Sequence, residues 1–408
     1  MNRGLLGRTL SHSYSPQIHS MLGTYPYQLF ETEPEALEQF LKGANFAGIN
    51  VTIPYKKTVI PYLDDLSPIA RKLHSVNTIV RRPDGTLYGH NTDYSGFQEM
   101  VKNSGLTVSG KKVLVLGSGG ASNTACAVLE EMGADVIVIS RSGENNYGNL
   151  HHHADTALIV NTTPVGMYPN TGCTPVDLSL FPKLEGVLDV IYNPSRTQLL
   201  LEAEKRGLVA VNGLLMLVAQ AKESAEWFTE TSIPEATIYQ IQKKLSRNMK
   251  NIVLIGMPGC GKSTIGKLLA ERCGKTFVDA DEEIIALAGK SIPDIFAREG
   301  EDAFRTLETR VLEKLGKQSG LVIATGGGCV TKKRNYPLLH QNATIIWLKR
   351  TLELLPTDGR PLSQSCSLAQ MYAEREPLYR SFADAVIDNN GDITDTITQI
   401  FNQLEVIA

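Results

Sequence analysis

Two continuous apolar runs dominate the hydrophobic pattern of the chain, each cut by a glycine-rich turn and followed by helix-like spacing. Residues 113–116 run into Gly117-Ser118-Gly119-Gly120-Ala121-Ser122, and residues 252–255 run into Gly256-Met257-Pro258-Gly259-Cys260-Gly261-Lys262-Ser263-Thr264. Helical patterns follow at 123–132 and 264–272. A strand that is apolar at every position is buried on both faces, which predicts parallel sheets in α/β domains. Further apolar strands are expected at 136–139, 155–161 and 187–191, and again at 277–281 and 322–325. Residues 1–110 read differently, with short strands at 4–7, 27–31, 48–53 and 78–82 between helix-like segments. Ser15-Pro16 reads as a helix start with Ser15 as the cap, and Pro83-Asp84-Gly85 as a tight hairpin turn before 86–89. The segment 393–407 has helical apolar spacing and is expected to pack on the last domain.

The polar, basic stretch 243–251 separates the two glycine turns, and reads either as a charged helix end or as a linker. Because a strand and phosphate loop follow it at once, we place a linker at 246–251. Three blocks result: an α/β domain over 1–105 with 212–245 packing back on it, a Rossmann-like dinucleotide-binding domain over 106–211, and a P-loop domain with a parallel sheet over 252–408.

Composition adds exclusions. Of 408 residues, 42% are hydrophobic and 20% charged, ordinary values for a globular chain of two or three domains. The formal charge of −3 gives no basic field for nucleic acid. No apolar run reaches the length that spans a bilayer, and the first residues hold no long apolar stretch. The six cysteines show no metal-type spacing, so a cytoplasmic protein with reduced thiols is expected.

The turn Gly256-x4-Gly261-Lys262-Ser263 matches the P-loop. Its glycines, with Gly259, Cys260 and Thr264, let backbone N–H groups curl around phosphate oxygens. Lys262 can reach the β/γ-phosphates, and the Ser263 hydroxyl suits Mg²⁺. Downstream, Asp279 and Asp281 stand at i and i+2 of an expected strand, on one face, where a pair could hold Mg²⁺ through water and accept a proton. Arg305, Arg375 and the Gly326-Gly327-Gly328 turn suit a small carboxylated acceptor, since guanidinium binds carboxylate bidentately.

With Phe304-Arg305-x-x-Glu308 and Arg375-x-Pro377-Leu378-Tyr379, these motifs make residues 250–390 resemble shikimate kinase. The resemblance implies Asp279 near Mg²⁺, Asp281 as general base facing shikimate, and Arg305 and Arg375 on its carboxylate. It also implies that Gly326–Gly328 line the substrate and that Arg360 is a lid arginine reaching the transferred phosphoryl group. The lid, 356–360, is shorter here than in many members.

The first glycine turn is a variant dinucleotide fingerprint, Gly117, Gly119, Gly120 and Ala121 standing where pyrophosphate would rest. The next strand ends in Ser140-Arg141-Ser142. An arginine there accommodates a 2′-phosphate where an acidic residue would bind a 2′-hydroxyl, which favours NADP over NAD. The stretch from Arg141 to Asn161 is brief, so a helix of this fold is expected to be shortened or missing. His151-His152-His153 within it reads as an exposed polar loop rather than a metal site.

Read singly, Ser15, Lys56 and Asn91–Asp93 are as easily a cap, a surface cation and a helix start. In series, Ser13-Tyr14-Ser15-Pro16, Asn50-Val51-Thr52-x3-Lys56, Asn77, Asn91-Thr92-Asp93, Asn161-Thr162-Thr163, Asp189–Pro194 and Asn212-Gly213-x6-Gln220 resemble shikimate dehydrogenase over residues 1–245. That resemblance implies Lys56 and Asp93 as the catalytic pair. It puts Ser13, Ser15, Thr52, Asn77, Asp93 and Gln220 on the substrate, and Thr163 and Gly213 on the cofactor. The expectation is a bifunctional enzyme using NADP(H), ATP and Mg²⁺ on small-molecule substrates, with no nucleic-acid or membrane partner. Two alternatives stand: a quinate/shikimate dehydrogenase using NAD, or one half inactive and regulatory.

Overall fold

In the computed structural model, residues 2–10, 13–43, 45–355 and 367–407 are described. The chain divides into two compact units, the first holding 1–166, 173–192 and 199–244, the second 167–172, 193–198 and 245–408. The short segments 167–172 and 193–198, expected within the dinucleotide-binding domain, thus group with the second unit.

The first unit contains two sheets. One orders its strands β2-β1-β3-β5-β6-β4, where β1 is Asn2–Gly7, β2 Tyr27–Glu31, β3 Phe46–Val51, β4 Asp65–Leu66, β5 Thr78–Arg81 and β6 Leu87–His90. It is mixed, parallel at β2-β1-β3 and antiparallel at β3-β5-β6, with the β5–β6 hairpin turning at Gly85. Leu6, Ile49, Val51 and Ile79 are fully or almost fully buried and make its core with Leu37, Leu41 and Phe46. The other sheet is wholly parallel, ordered β11-β10-β9-β7-β8, with β7 Lys112–Leu116, β8 Asp135–Ile139, β9 Leu158–Asn161, β10 Gly186–Asp189 and β11 Val209–Asn212. Strands β8 and β9 are joined through a single 3₁₀ turn, Leu150–His153, without an α-helix. In that turn His151 and His152 are exposed, and His153 is turned inward to Asn145 Oδ1 at 3.1 Å. The helix Leu214–Thr229 packs against the helix Asp93–Asn103, so closely that a Cβ on Gly96 would lie 2.7 Å from Met216 O.

The second unit holds one parallel sheet ordered β13-β14-β12-β15-β16, with β12 Asn251–Ile255, β13 Thr276–Asp279, β14 Leu321–Ala324, β15 Ala343–Lys349 and β16 Ala385–Asp388. In both parallel sheets the strand carrying the glycine turn, β7 or β12, is flanked on its two sides by strands that both come later in the chain, so the strand order reverses there. Ligands of open α/β sheets bind at the carboxyl ends of such strands. The C-terminal helix Ile393–Ile407 buries Ile397 and Ile400 in this core.

Two expectations are corrected. The stretch 246–251 is not an irregular linker: the helix Ala236–Met249 runs through it, with Ile238, Ile241, Leu245 and Met249 buried at helical spacing, and Lys250 alone precedes β12. Asp281 does not lie on a strand with Asp279. Strand β13 ends at Asp279, whose side chain caps the helix Ala280–Ala288 by accepting from Asp281 N at 3.0 Å. No helix among the described residues is long and apolar enough to cross a membrane.

Candidate active sites

In the first unit a cavity of about 470 Å³ is lined by Ser13, Ser15, Thr52, Lys56, Asn77, Asp93 and Gln220, all the residues expected on the substrate. At its centre Lys56 Nζ donates to Asp93 Oδ2 at 2.5 Å. Asp93 opens the helix Asp93–Asn103, where a carboxylate is favoured by the helix dipole. Its other oxygen accepts from Asn77 Nδ2 at 2.9 Å. Asn77 is fixed in turn, because its Oδ1 accepts from Thr92 N at 2.7 Å. The amide orientation therefore follows from the backbone, and it aims the N–H group at the carboxylate. Gln220 is held by Leu217 O at 2.9 Å, one turn along its own helix.

Ser15 differs from expectation. The helix Ser15–Leu22 takes Tyr14 as its N-cap without a side-chain cap bond, so Ser15 is the first helical residue and not the cap. Ser15 lines the cavity instead, with Ser13 Oγ accepting from Ser15 N at 3.2 Å. Behind them Tyr27 donates to Asn50 Oδ1 at 2.8 Å, and Asn50 Nδ2 donates to Ser224 Oγ at 2.7 Å.

Of the residues expected on the dinucleotide, Ala121 and Gly213 reach this cavity. Gly213 is needed for close approach, since a Cβ there would lie 2.0 Å from Val190 O. Gly117, Gly119 and Gly120 form the turn into the helix Gly120–Glu131. Gly117 has φ +111°, and Ser122 Oγ donates to its carbonyl at 2.8 Å. First-turn N–H groups of such a helix lack helical partners and suit an anion. Ser140, Arg141 and Ser142 follow β8, with Arg141 and Ser142 exposed. The Thr163 hydroxyl is bonded to Asn161 Oδ1 at 2.7 Å. Tyr192 and Met216 also line the cavity, and Tyr192 meets the Tyr14 ring edge-on at 6.0 Å. Tyr192 lies in a stretch singled out above without a role of its own.

The second unit has a cavity of about 520 Å³ lined by Lys262, Ser263, Thr264, Asp279, Asp281, Arg305, Gly326–Gly328 and Arg375. Lys262 Nζ rests on its own loop, donating to Gly256 O at 2.9 Å and Met257 O at 3.0 Å. Ser263 Oγ donates to Asp279 Oδ2 at 2.6 Å. Cys260 does not line the cavity: its thiol is buried, and its N–H donates to Met257 O at 3.2 Å. Arg360 and the rest of the expected lid lie outside the described residues.

Arg305 is 3% exposed and held from two sides, by Glu308 Oε2 on Nη1 at 2.8 Å and by Glu301 Oε1 on Nε and Nη2 at 3.2 and 3.1 Å. Burial pushes the Glu308 carboxyl up, with the Arg305 guanidinium opposing. A Cβ on Gly328 would fall 2.2 Å from Arg305 Nη2, so glycine there is what lets the guanidinium in. Arg375 Nη1 and the Tyr379 hydroxyl both donate to Gly327 O. Glu308 and Tyr379 thus set the two arginines and the glycine turn, and both stood in the motifs quoted above without an assigned role. Among the described residues no group of three His, Cys, Asp or Glu side chains could hold a metal ion.

The comparisons with known proteins divide the chain in the same order. Residues 5–79 match the family described as shikimate dehydrogenase substrate binding domain, and residues 258–405 match shikimate kinase. A shikimate dehydrogenase (NADP(+)) of Clostridium perfringens is 35% identical over 264 residues, 59% of this chain and 97% of that relative. Shikimate dehydrogenase 1 from Peptoclostridium difficile has a crystal structure that is 37% identical with a TM-score of 0.56, covering 60% of this chain and 97% of its own. A chorismate mutase/shikimate 5-dehydrogenase fusion protein from Clostridium acetobutylicum is similar at 37% identity and TM-score 0.57, over 60% of this chain and 96% of its own.

Proposed function

The chain belongs to the shikimate dehydrogenase family and carries a shikimate kinase domain in its C-terminal part, and from that premise we propose two consecutive reactions. The first unit reduces 3-dehydroshikimate to shikimate with NADPH. The second transfers the γ-phosphoryl group of ATP to the 3-hydroxyl of shikimate. The observation that carries this reading is that Ser13, Ser15, Thr52, Lys56, Asn77, Asp93 and Gln220, from distant parts of the chain, meet in one cavity around an ion pair.

NADPH, when bound, supplies a hydride to the carbonyl carbon. The chain answers the negative charge that builds on the carbonyl oxygen. Lys56 stabilises that oxygen and gives it a proton, while Asp93, fixed by Asn77, keeps the ammonium in place. Ser13 and Ser15 take the substrate carboxylate; Thr52, Asn77 and Gln220 take its hydroxyls. The open turn Gly117–Ala121 and Gly213 suit the dinucleotide, with Arg141 at its 2′-phosphate. Arg141→Ala should lower kcat/KM with NADPH about tenfold and leave the NADH value unchanged, as initial rates with each cofactor would read. A parent enzyme preferring NADH would instead favour an NAD-dependent quinate/shikimate dehydrogenase.

In the second unit Asp281 accepts the proton of the 3-hydroxyl as its oxygen attacks the γ-phosphorus and ADP leaves. Lys262, and Arg360 from the lid, offset the charge on the moving phosphoryl oxygens. The hydroxyl and carboxylate of Ser263 and Asp279 are hard oxygen donors that fit Mg²⁺, which binds through few protein oxygens and neutralises phosphate charge. Arg305 and Arg375 hold the acceptor's carboxylate. Arg305→Lys loses the fork anchored on Glu301 and Glu308, so KM for shikimate should rise about tenfold while ADP affinity, read by calorimetry, stays constant.

A further inference from the structure

The acceptor cavity of the second unit ends at the P-loop, and one cation on the far side of that loop has no part in it. Strand β15 pairs with β12 in register, so the residue after β15 descends beside the loop that follows β12. That residue is Arg350. A Cβ placed on Gly261, whose φ is +93°, would lie 3.2 Å from Asn389 Nδ2 and 3.9 Å from Arg350 Nη1. Both ends of the Asn389 amide are engaged: it donates to Cys260 O at 2.6 Å and accepts from the Thr396 hydroxyl at 2.9 Å. Arg350 is not fully engaged, because its Nε is buried and has no hydrogen-bond partner among the described residues.

The backbone carrying Arg350 is held in place. Thr351 N and Oγ1 both bond to Asn390 Oδ1, at 2.8 and 3.1 Å. A buried guanidinium N–H without an acceptor is costly, and a guanidinium beside a phosphate-binding loop is matched by an anionic or acceptor-rich ligand. The direction of that ligand follows from the other groups. Asp281, Arg305 and Arg375 line the acceptor end, whereas Arg350 and Asn389 are not part of that lining. A nucleotide with its γ-phosphoryl group at Asp281 and its β/γ-phosphates over Lys262 must carry its adenosine end out past Gly261. There it meets Arg350.

We propose that Arg350 is a nucleotide-binding residue of the second unit, taking the adenosine side of ATP through an acceptor on either the α-phosphate or the base. The inference rests on the kinase reading given above. Calorimetry on the full chain would compare ADP, GDP and inorganic tripolyphosphate for the parent protein, Arg350→Ala and Arg350→Lys. Arg350→Ala should bind ADP about tenfold more weakly, with KM for shikimate and NADPH-dependent reduction unchanged; tripolyphosphate affinity should fall with it if the contact is to the α-phosphate and stay at the parent value if the contact is to the base. An unchanged ratio of ADP to GDP affinity assigns the contact to the α-phosphate, and a reduced ratio assigns it to the base. Arg350→Lys separates charge from fork, restoring affinity in part if charge suffices. ADP affinity equal to the parent's in a folded Arg350→Ala protein would overturn the proposal. A parent protein that bound neither ADP nor ATP would overturn the kinase reading itself, a result visible before any variant is made.

Discussion

Lys56→Ala is expected to lower the reduction of 3-dehydroshikimate about a thousandfold while phosphorylation of shikimate by ATP proceeds at the parent rate. The size follows from two losses at one atom. On the proposed reading the ammonium both balances the charge on the carbonyl oxygen and delivers its proton, and no other cation among the described residues lines that cavity. Its partner Asp93 would then stand as a carboxylate next to a developing anion, which makes the site worse than neutral. Folding should survive, because the Lys56 side chain is 28% exposed and Asp93 keeps its bond from Asn77. The decay of NADPH absorbance, set beside a thermal melt, reads the two effects apart. A Lys56→Ala protein that reduced its substrate at the parent rate would remove the ion pair from the chemistry.

Lys262 carries the second large effect. Lys262→Met keeps the aliphatic stem and removes the charge, and should lower kcat for phosphoryl transfer about a thousandfold without changing NADPH oxidation. The lysine is nearly buried and its ammonium is parked on two carbonyls of the loop, Gly256 O and Met257 O. On the proposed reading it already stands at the loop that takes the phosphates and needs only to turn from the loop to the nucleotide. Methionine cannot make either contact. Initial rates of ADP formation at saturating shikimate measure the loss. Were Lys56→Ala or Lys262→Met to silence both reactions in a folded protein, the two sites would not be independent.

The parallel sheets were legible in the sequence because strands buried on both faces leave a continuous apolar signature, as in residues 113–116 and 252–255. What was misread lies at strand and helix ends. The run Phe277–Asp281 looks like a strand with paired carboxylates, yet Asp279 can accept a first-turn N–H and dipole-favoured acids follow it, so the helix begins at Ala280. Likewise Ser15 before Pro16 has the look of a cap, but the chain enters through Tyr14 and frees the serine for the cavity. At 246–249 the charges suggested a linker, while Ile241, Leu245 and Met249 keep the helical stripe going. The two-residue strand β4 is too short to carry any period.

The candidate sites were legible as residue types and not as bonds. Lys56 and Asp93 are 37 positions apart, and only the pairing of β3, β5 and β6 brings the segments bearing Lys56, Asn77 and Asp93 together. Glu308 and Tyr379 were visible in motifs, but their work is to hold Arg305 and Gly327, which no linear spacing states.

The central claim, that one chain makes its own acceptor and then phosphorylates it, is tested in a single vessel. Purified protein is given 3-dehydroshikimate, NADPH, ATP and Mg²⁺, and the products are read by mass spectrometry with NADPH and ADP followed in parallel. The account predicts shikimate 3-phosphate, with one NADPH oxidised and one ADP formed for each molecule of it. Accumulation of shikimate without ADP, or no oxidation of NADPH while added shikimate is phosphorylated, would contradict it.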